Sequence, residues 1–372
     1  AFERIRRDEE IMASQPTKQE KRIRADNLKA VARKIFAVAG SNARECDLLA
    51  DHLIEANLKG HDSHGIGMIP AYIASLSVNE LVLNAKPELV SETGSTLVVE
   101  GGSGLGQTIA HDAMELGIDR ALKSGSSIVA LRNSHHIGRI GHWAEQCAAA
   151  GLVSIHFVNV VAEPVVAPFG GTQARVVTNP IAIGIPRDGH EPVIVDFATS
   201  RLAHGKIRVA YNKGVAVPPG TLIDAAGQPT NDPAVLFHDP RGAILPFGEH
   251  KGWTLAFACE ALAGALTGGQ AIKGPVTQKA IINNMLSILI APDRIGTAPR
   301  YLAELESMIR WVQTPAPGAS PTVLLPGDPE RQTRAERLRN GIPVDPASWA
   351  QIVAAAVELG ISADALEALA SG

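Results

Sequence analysis

Apolar positions recur with helical spacing at the start of the chain. Leu28, Val31, Ile35 and Phe36 share one face of a 3.6-residue repeat, which predicts an amphipathic helix over residues 26–40, stopped at Gly40. Ser41 or Asn42 can cap a second helix, which carries Leu48, Leu49, Leu53 and Ala56 and ends at Gly60. Pro70 opens a short helix through Tyr72 and Leu76. From about residue 95 the pattern changes. STLVVEG reads as a strand, residues 107–124 as a helix ending at Gly125, SSIVALRN as a strand, residues 141–150 as a helix, and LVSIHFVNV as a strand. RVVTNPIAIGIP and EPVIVDFA continue the strand-rich section, and the Gly/Pro/Asp-rich residues 212–243 read mostly as loop. Residues 251–267 predict a strong apolar helix and MLSILIAP a late strand. The chain is helical again after Pro299, with Asp345-Pro346 starting one helix and Ser362 capping the last. Helical ends around an α/β middle predict a helical domain built from both chain ends (24–90 with 260–372), a sheet domain (91–259) and a flexible arm (1–23).

Composition narrows the class. At 372 residues the chain exceeds one small core. Aromatics make up only 4%, so the core must be built from Ala, Val, Ile and Leu. The net charge of -4, with no basic stripe interleaved with aromatics, argues against a nucleic-acid partner. The longest apolar stretch, Trp253 to Leu266, is interrupted by Glu260 and falls short of the ~20 residues of a membrane span. AFERIRRDEE lacks the apolar region of a signal peptide, and residues 1–11 read as an upstream or vector-derived extension before Met12. Cys46, Cys147 and Cys259 are scattered and form no CxxC pair. This predicts reduced thiols in the cytoplasm and no structural zinc.

Five segments could carry chemistry. GGSGLG (101–106) follows a strand and precedes a helix, but its spacing is GxGxG. No acidic residue closes a second strand about 20 residues on, so a tight turn is the better reading than a dinucleotide loop. HDSHGIG (61–67) places two His beside Asp62 and Ser63. His suits proton transfer near neutrality, although a His in a polar loop is more often structural or solvated. NSHHIGRIGHWAEQ (133–146) clusters His135, His136 and His142 with glycines at a strand–helix junction. Either a ligand approaches the backbone there, or the His cap the helix. Asp196 ends an apolar strand, where it can partner a catalytic His or cap the following Thr-Ser. In FGEHKGW (247–253), Lys251 at a helix start opposes the dipole. That fits a nearby anion or a solvated side chain. No spacing suits a metal site.

In this order the segments DSHGIG, NSHHIGRIG, VAPFGG, TNPIAIGIP, VDFATS, HGKIRVA, GEHKG and LLPGDPE resemble the type-2 malate/L-lactate dehydrogenase family, over residues 26 to 370. The double His of NSHHIGRIG is shared with a hydroxycarboxylate dehydrogenase branch. The resemblance implies a non-Rossmann fold of the α/β (α+β) kind, with a mixed, largely antiparallel sheet domain. It implies a homodimer that uses NAD or NADP to interconvert small 2-hydroxy and 2-oxo acids. It makes His64 the proton donor, with Asp196 near it. In one branch the position of His136 takes that role. Cofactor contacts are implied at His136, Gly138, Arg139, Ile140, Thr178, Asn179, at Ile194, Val195, Asp196, Phe197 and Ala198, at His250, at Asn283, and at Gly327, Asp328, Pro329 and Glu330. Two positions depart from the family. Many relatives carry Arg four residues after the DSHG His, where this chain has Met68, so Arg139 or Arg201 would have to grip a substrate carboxylate. Glu249 replaces the usual Gly before HKG. Cyclic imine reduction with the same cofactor is the second enzymatic reading. A nucleotide-binding module without catalysis, or a metal-dependent hydrolase, would be readings of another class.

Overall fold

The computed structural model describes residues 20–314 and 323–372; the arm expected before residue 20 lies outside them. The described chain opens with strand β1 (Lys21–Ile23), followed by helices α1 (Ala25–Ala39), α2 (Ala43–Leu58) and α3 (Ile69–Ser77). Gly40 takes a left-handed conformation that ends α1, and the Asn42 side chain accepts from Glu45 N to start α2. Then come β2 (Glu88–Thr93), β3 (Thr96–Glu100), α4 (Gly106–Ser124), β4 (Ser126–His135), α5 (Gly141–Ala149), β5 (Val153–Val161), β6 (Ile181–Arg187) and β7 (His190–Phe197). Helix α6 (His204–Lys213) leads to three two-residue strands, β8 (Leu222–Ile223), β9 (Pro229–Thr230) and β10 (Ala243–Ile244). Helix α7 (His250–Cys259) continues as a π-helix over Glu260–Ala265. The remainder is β11 (Ile282–Ile290), α8 (Ala298–Gln313), α9 (Asp328–Asn340), β12 (Ile342–Val344), α10 (Pro346–Glu358) and α11 (Ala363–Ser371).

One seven-stranded sheet, ordered β2-β3-β4-β11-β5-β6-β7, organises the middle of the chain. Only β3 and β4 run parallel, bridged by α4; the other five pairings are antiparallel. This is the mixed, largely antiparallel, non-Rossmann sheet. Its core holds Val99, Ile109, Met114, Leu131, Trp143, Val158, Met285 and Leu289. A second core joins both ends of the chain: Leu28, Ile35, Phe36, Leu49, Leu53 and Tyr72 pack with Trp349, Ile352 and Leu366. β1 pairs with β12 antiparallel, Lys21 opposite Val344, so the residues just before 24 are part of this unit. Among the described residues no helix is long and apolar enough to cross a membrane.

Two further expectations need correction. The helical unit does not take all of 260–372. β11 is the middle strand of the large sheet, and α8 packs on β7 through Leu305, Ile309 and Val193, with Arg187 gripping Glu306 at 2.7 and 2.9 Å. Residues 212–243 are mostly loop, as expected, and the loop carries a small sheet, ordered β10-β8-β9, over a cluster of Val217, Leu222, Leu236 and Ile244. Two-residue strands are too short to show a period-2 signal. In RVVTNP only Val176 bridges, to Val166, and the strand begins after Pro180, which has no N–H to give a ladder. Helix α6 escapes the apolar pattern because, among its described side chains, Ile207 and Ala210 alone are buried.

Candidate active site

The DSHG segment folds into two short 3-10 turns, Asp62–His64 and Ile66–Met68, at the end of α2. Asn57 from α2 holds both turns. Its Nδ2 donates to Asp62 Oδ1 at 2.7 Å and its Oδ1 accepts from Ile66 N at 2.8 Å. A Cβ at Gly65 would overlap that amide, so only glycine fits there. Arg337 on α9 donates to both Asp62 oxygens at 2.6 and 3.0 Å. Asp62 is therefore a fastener of the loop. His64, thus fixed, has Nδ1 2.9 Å from Ser63 Oγ, and its ring stacks on that of His136, 5.6 Å between centroids and 19° between planes.

His136 is held from the helical core. Tyr72 Oη lies 2.6 Å from His136 Nδ1 and accepts from Gln107 Nε2 at 2.9 Å. With Gln107 donating, the single hydroxyl proton of Tyr72 goes to His136 Nδ1. The neutral ring therefore carries its own proton on Nε2. Protonating Nδ1 would make the phenol oxygen accept twice and leave its own proton without an acceptor. Ser63 imposes no such limit on His64, because its hydroxyl can accept from Nδ1–H whether the ring is neutral or charged.

The HIGRIG loop is strung between these rings and the sheet. Asn283 Oδ1 on β11 accepts from Ile137 N at 2.9 Å, and His52 Nε2 accepts from Arg139 N at 2.8 Å. Gly138 has φ +72, and a Cβ there would overlap His52. The Arg139 side chain is 2% exposed and pairs with Glu145 at 2.6 Å and Asp196 at 3.6 Å. Glu145 is further bound by Lys59, and together with Arg139 this holds its carboxyl below the usual range despite burial. Asp196 Oδ2 accepts from Gly141 N, the first residue of α5, at 2.9 Å. Asp196 thus caps α5 from β7. It has no hydrogen bond to His64 and does not cap its own Thr-Ser. None of the three clustered His caps α5. The His142 ring lies tilted against that of His52, with centroids 4.4 Å apart, and both ring nitrogens of buried His135 lack partners.

Burial sets the charge of the pair. Desolvation is the largest influence on His64, followed by His61, and it outweighs the favourable field of Asp196 to leave His64 at about 4. His136 is pushed well below its ordinary value by burial, then by His64 and His135. Both rings are neutral at pH 7, not poised near neutrality as the loop position of His64 suggested.

These groups line one cavity of about 960 Å³. Of the sequence-predicted residues, His64, His136, Gly138, Arg139, Ile140, Thr178, Asp196, Phe197, Ala198, Asn283 and Glu330 border it. The others do not. Asn179 is buried behind it, accepting from Val160 N at 3.0 Å and donating to Glu260 at 2.8 Å. Ile194 and Val195 are in the body of β7, and Ile194 N donates to Pro326 O. Exposed His250 lies against the ring of Phe169, 5.9 Å away. Gly327, Asp328 and Pro329 turn the chain into α9, where Asp328 accepts from Leu325 N. Exposed Lys251 is not on the cavity either. Sequence reasoning missed Tyr72, which helical spacing disguised as core, and Arg208, which sits inside HGKIRVA. A buried Tyr needs a partner for its hydroxyl, and that signal could have found the first. Five Lys/Arg (Arg139, Arg201, Lys206, Arg208, Arg241) face three acids (Glu163, Asp196, Glu330) across the cavity. All three acids are engaged: by Arg241, by Arg139, and by His61. The site is built for an anion. Among the described residues no three His, Cys, Asp or Glu side chains converge as a metal site would require.

The sequence model of malate/L-lactate dehydrogenase matches residues 23–353. Hydroxycarboxylate dehydrogenase B of Escherichia coli (strain K12) is 48% identical over 350 residues, 93% of this chain and 97% of the relative. The Delta(1)-pyrroline-2-carboxylate/Delta(1)-piperideine-2-carboxylate reductase of Pseudomonas syringae pv. tomato is 35% identical over 339 residues, 89% of this chain and 94% of its own. A solved structure from E. coli, described as a candidate malate/lactate dehydrogenase, superposes with a TM-score of 0.90 at 47% identity, covering 94% of this chain and 99% of that one.

Proposed function

The chain belongs to the malate/L-lactate dehydrogenase family, oxidoreductases acting on hydroxy acids, and from that premise we propose that it moves a hydride between C2 of a small 2-hydroxy or 2-oxo carboxylic acid and NAD or NADP. The observation that carries the reading is a pair of neutral imidazoles with opposite proton roles, His64 and His136, on the wall of a cavity short of negative charge. Such a cavity is large enough for a cofactor and a small acid together. The donor set suits a dinucleotide. Arg201 and Lys206 are exposed and unpaired among the described residues, and they flank the start of α6, whose first amides no side chain caps. Val158, Val160 and Phe197 offer apolar surface for a ring, and Ile140, Thr178 and Ala198 line the same wall. When bound, the nicotinamide accepts or supplies the hydride at C2.

The protein's own part is proton transfer. In hydroxy acid oxidation, His64 Nε2 takes the hydroxyl proton while Nδ1–H rests on Ser63. The positive charge created is stabilised by the field of Asp196. His136 keeps its proton and donates Nε2–H to the same oxygen. In 2-oxo acid reduction His64 returns the proton, and the incoming anionic substrate favours its charged form.

A panel of 2-oxo acids assayed with NADH and with NADPH tests the proposal, with turnover of at least one acid expected. No turnover of any acid would overturn it. Cyclic imine reduction is the second reading, supported by the Pseudomonas syringae relative; Delta(1)-pyrroline-2-carboxylate in the same panel separates the two. A homodimer is the expected assembly, supported by the exposure of Phe257, Leu266 and Trp311 at 61%, 67% and 81%. Sedimentation at twice 39.1 kDa is the expected result. Three free, buried thiols support a reducing, cytoplasmic setting.

A further inference from the structure

Helix α6 meets the DSHG loop with no side chain between them. A Cβ at Gly205 would overlap that of Ser63, so the first turn of α6 presses on the residue preceding His64. Arg208 is one turn further along the same face. Its Nη2 lies 3.9 Å from the place a Cβ on Gly67 would occupy, which hangs the guanidinium in the cavity over the loop that carries His64.

The other guanidiniums around this loop are committed. Arg139 holds Glu145 and Asp196, Arg241 holds Glu163, and Arg337 holds Asp62. Arg208 makes no hydrogen bond or ion pair among the described residues. The acid that acts on it through space, Asp345, is occupied as the cap of α10, accepting from Ser348 N at 2.9 Å. Withdrawal from water lowers the pKa of Arg208, as expected of a cation held without a counter-charge. Such a cation is costly unless a ligand supplies the anion. Met68, 6% exposed on the same loop, brings apolar surface and no charge.

We propose that Arg208 grips the C1 carboxylate of the substrate, presenting the C2 oxygen to His64, while Met68 covers the neighbouring carbon. This assignment rests on the 2-hydroxy/2-oxo acid reading. It replaces Arg139, whose charge is spent within the protein, and Arg201, which is exposed at the rim. A planar fork matches a carboxylate in a two-bond geometry that a lysine cannot reproduce.

The test uses the full chain, the fastest 2-oxo acid of the panel and the carboxamide of that acid. In Arg208→Gln, KM for the acid should rise about 10²-fold, as for loss of one partner of a buried charge pair. The preference for acid over amide should collapse, and NAD(P)H affinity by fluorescence should change less than about twofold. Because Arg208 has no protein partner to lose, Arg208→Gln should melt at or above the wild-type temperature. Should it fold poorly, Arg208→Lys is expected to fold and raise KM about tenfold. An unchanged KM and acid preference in a folded variant overturns the proposal. So does weakened NADPH binding with unchanged KM, which would assign Arg208 to a cofactor phosphate. If wild type reduces no 2-oxo acid, the functional reading has failed before any variant is made.

Discussion

Tyr72→Phe is the most exacting test of how the imidazole pair is wired. The substitution keeps the ring, its edge contact with Phe36 at 6.3 Å and its place in the helical core, and removes one oxygen. That oxygen serves two buried groups, accepting from Gln107 Nε2 at 2.9 Å and donating to His136 Nδ1 at 2.6 Å. Both would be left without a partner where water does not reach. Each orphaned buried group costs about 1–3 kcal/mol, so the variant should lose roughly 2–6 kcal/mol. That is a large share of the ~5–15 kcal/mol that holds a typical domain. Urea unfolding measures the loss. Tyr301→Phe is the control, because its hydroxyl makes one long bond of 3.4 Å to Pro186 O from a part-buried position and should cost well under about 1 kcal/mol. The second readout is chemical. With nothing donating to Nδ1, His136 should lose its exclusive Nε2–H form, and ¹⁵N shifts of labelled imidazole should show a mixture of tautomers. A variant that unfolds at the wild-type urea concentration, or keeps a single His136 tautomer, refutes the proposed chain of donors.

Three further outcomes follow. His64→Ala should cut turnover by roughly 10² to 10⁴ and leave nicotinamide affinity nearly intact; near-normal turnover there, with loss in His136→Ala, would move the proton role to His136. Seven histidines, His52, His64, His135, His136, His142, His156 and His204, are held below the ordinary 6.5, chiefly by burial. Between pH 6.5 and about 4 the unfolded chain therefore binds more protons, so stability is full above 6.5 and lost as pH falls through that window; a urea midpoint flat from pH 7 to 5 would contradict this. Glu249, at φ 59 and ψ -119, is the first central residue of a tight turn closed by Lys251 N to Gly248 O, a conformation suited to glycine. Glu249→Gly should raise stability by about 1 kcal/mol in thermal unfolding.

Much of this was legible in the chain because the informative residues are local. The DSHG and HIGRIG loops announce themselves by His and Gly packed within seven residues, and α1, α2 and α4 by clean periodicity with glycine stops. What stayed hidden depends on distance in sequence. Asp196 reads as a His partner until β7 brings it to Gly141 N and Arg139. Asn179 reads as a ligand contact until Glu260, 81 positions on, claims its amide. Arg208 lies on a short, polar helix with nothing to distinguish it from a solvated arginine. Only the absence of a partner, a property of the folded state, sets it apart.

The place of β11 in the sheet has a consequence for how the molecule is made. β4 and β5 are neighbours in sequence, yet β11 lies between them and pairs with both along its length. During synthesis the strands β2-β3-β4 and β5-β6-β7 emerge as two half-sheets, and each must wait with one long edge unpaired until residues 282–290 leave the ribosome. Such edges invite pairing with other chains. Met285 and Leu289 arrive with the same strand to close the core, and Asn283 arrives to fasten Ile137. The HIGRIG loop leaves β4 of one half-sheet and leads into the helix that packs on the other, and Asn283 of β11 fastens Ile137 where the two halves join. The sheet is thus completed by a pairing of high sequence separation, and a chain ending at residue 281 would carry nearly every residue of the site but lack the strand that joins the two half-sheets.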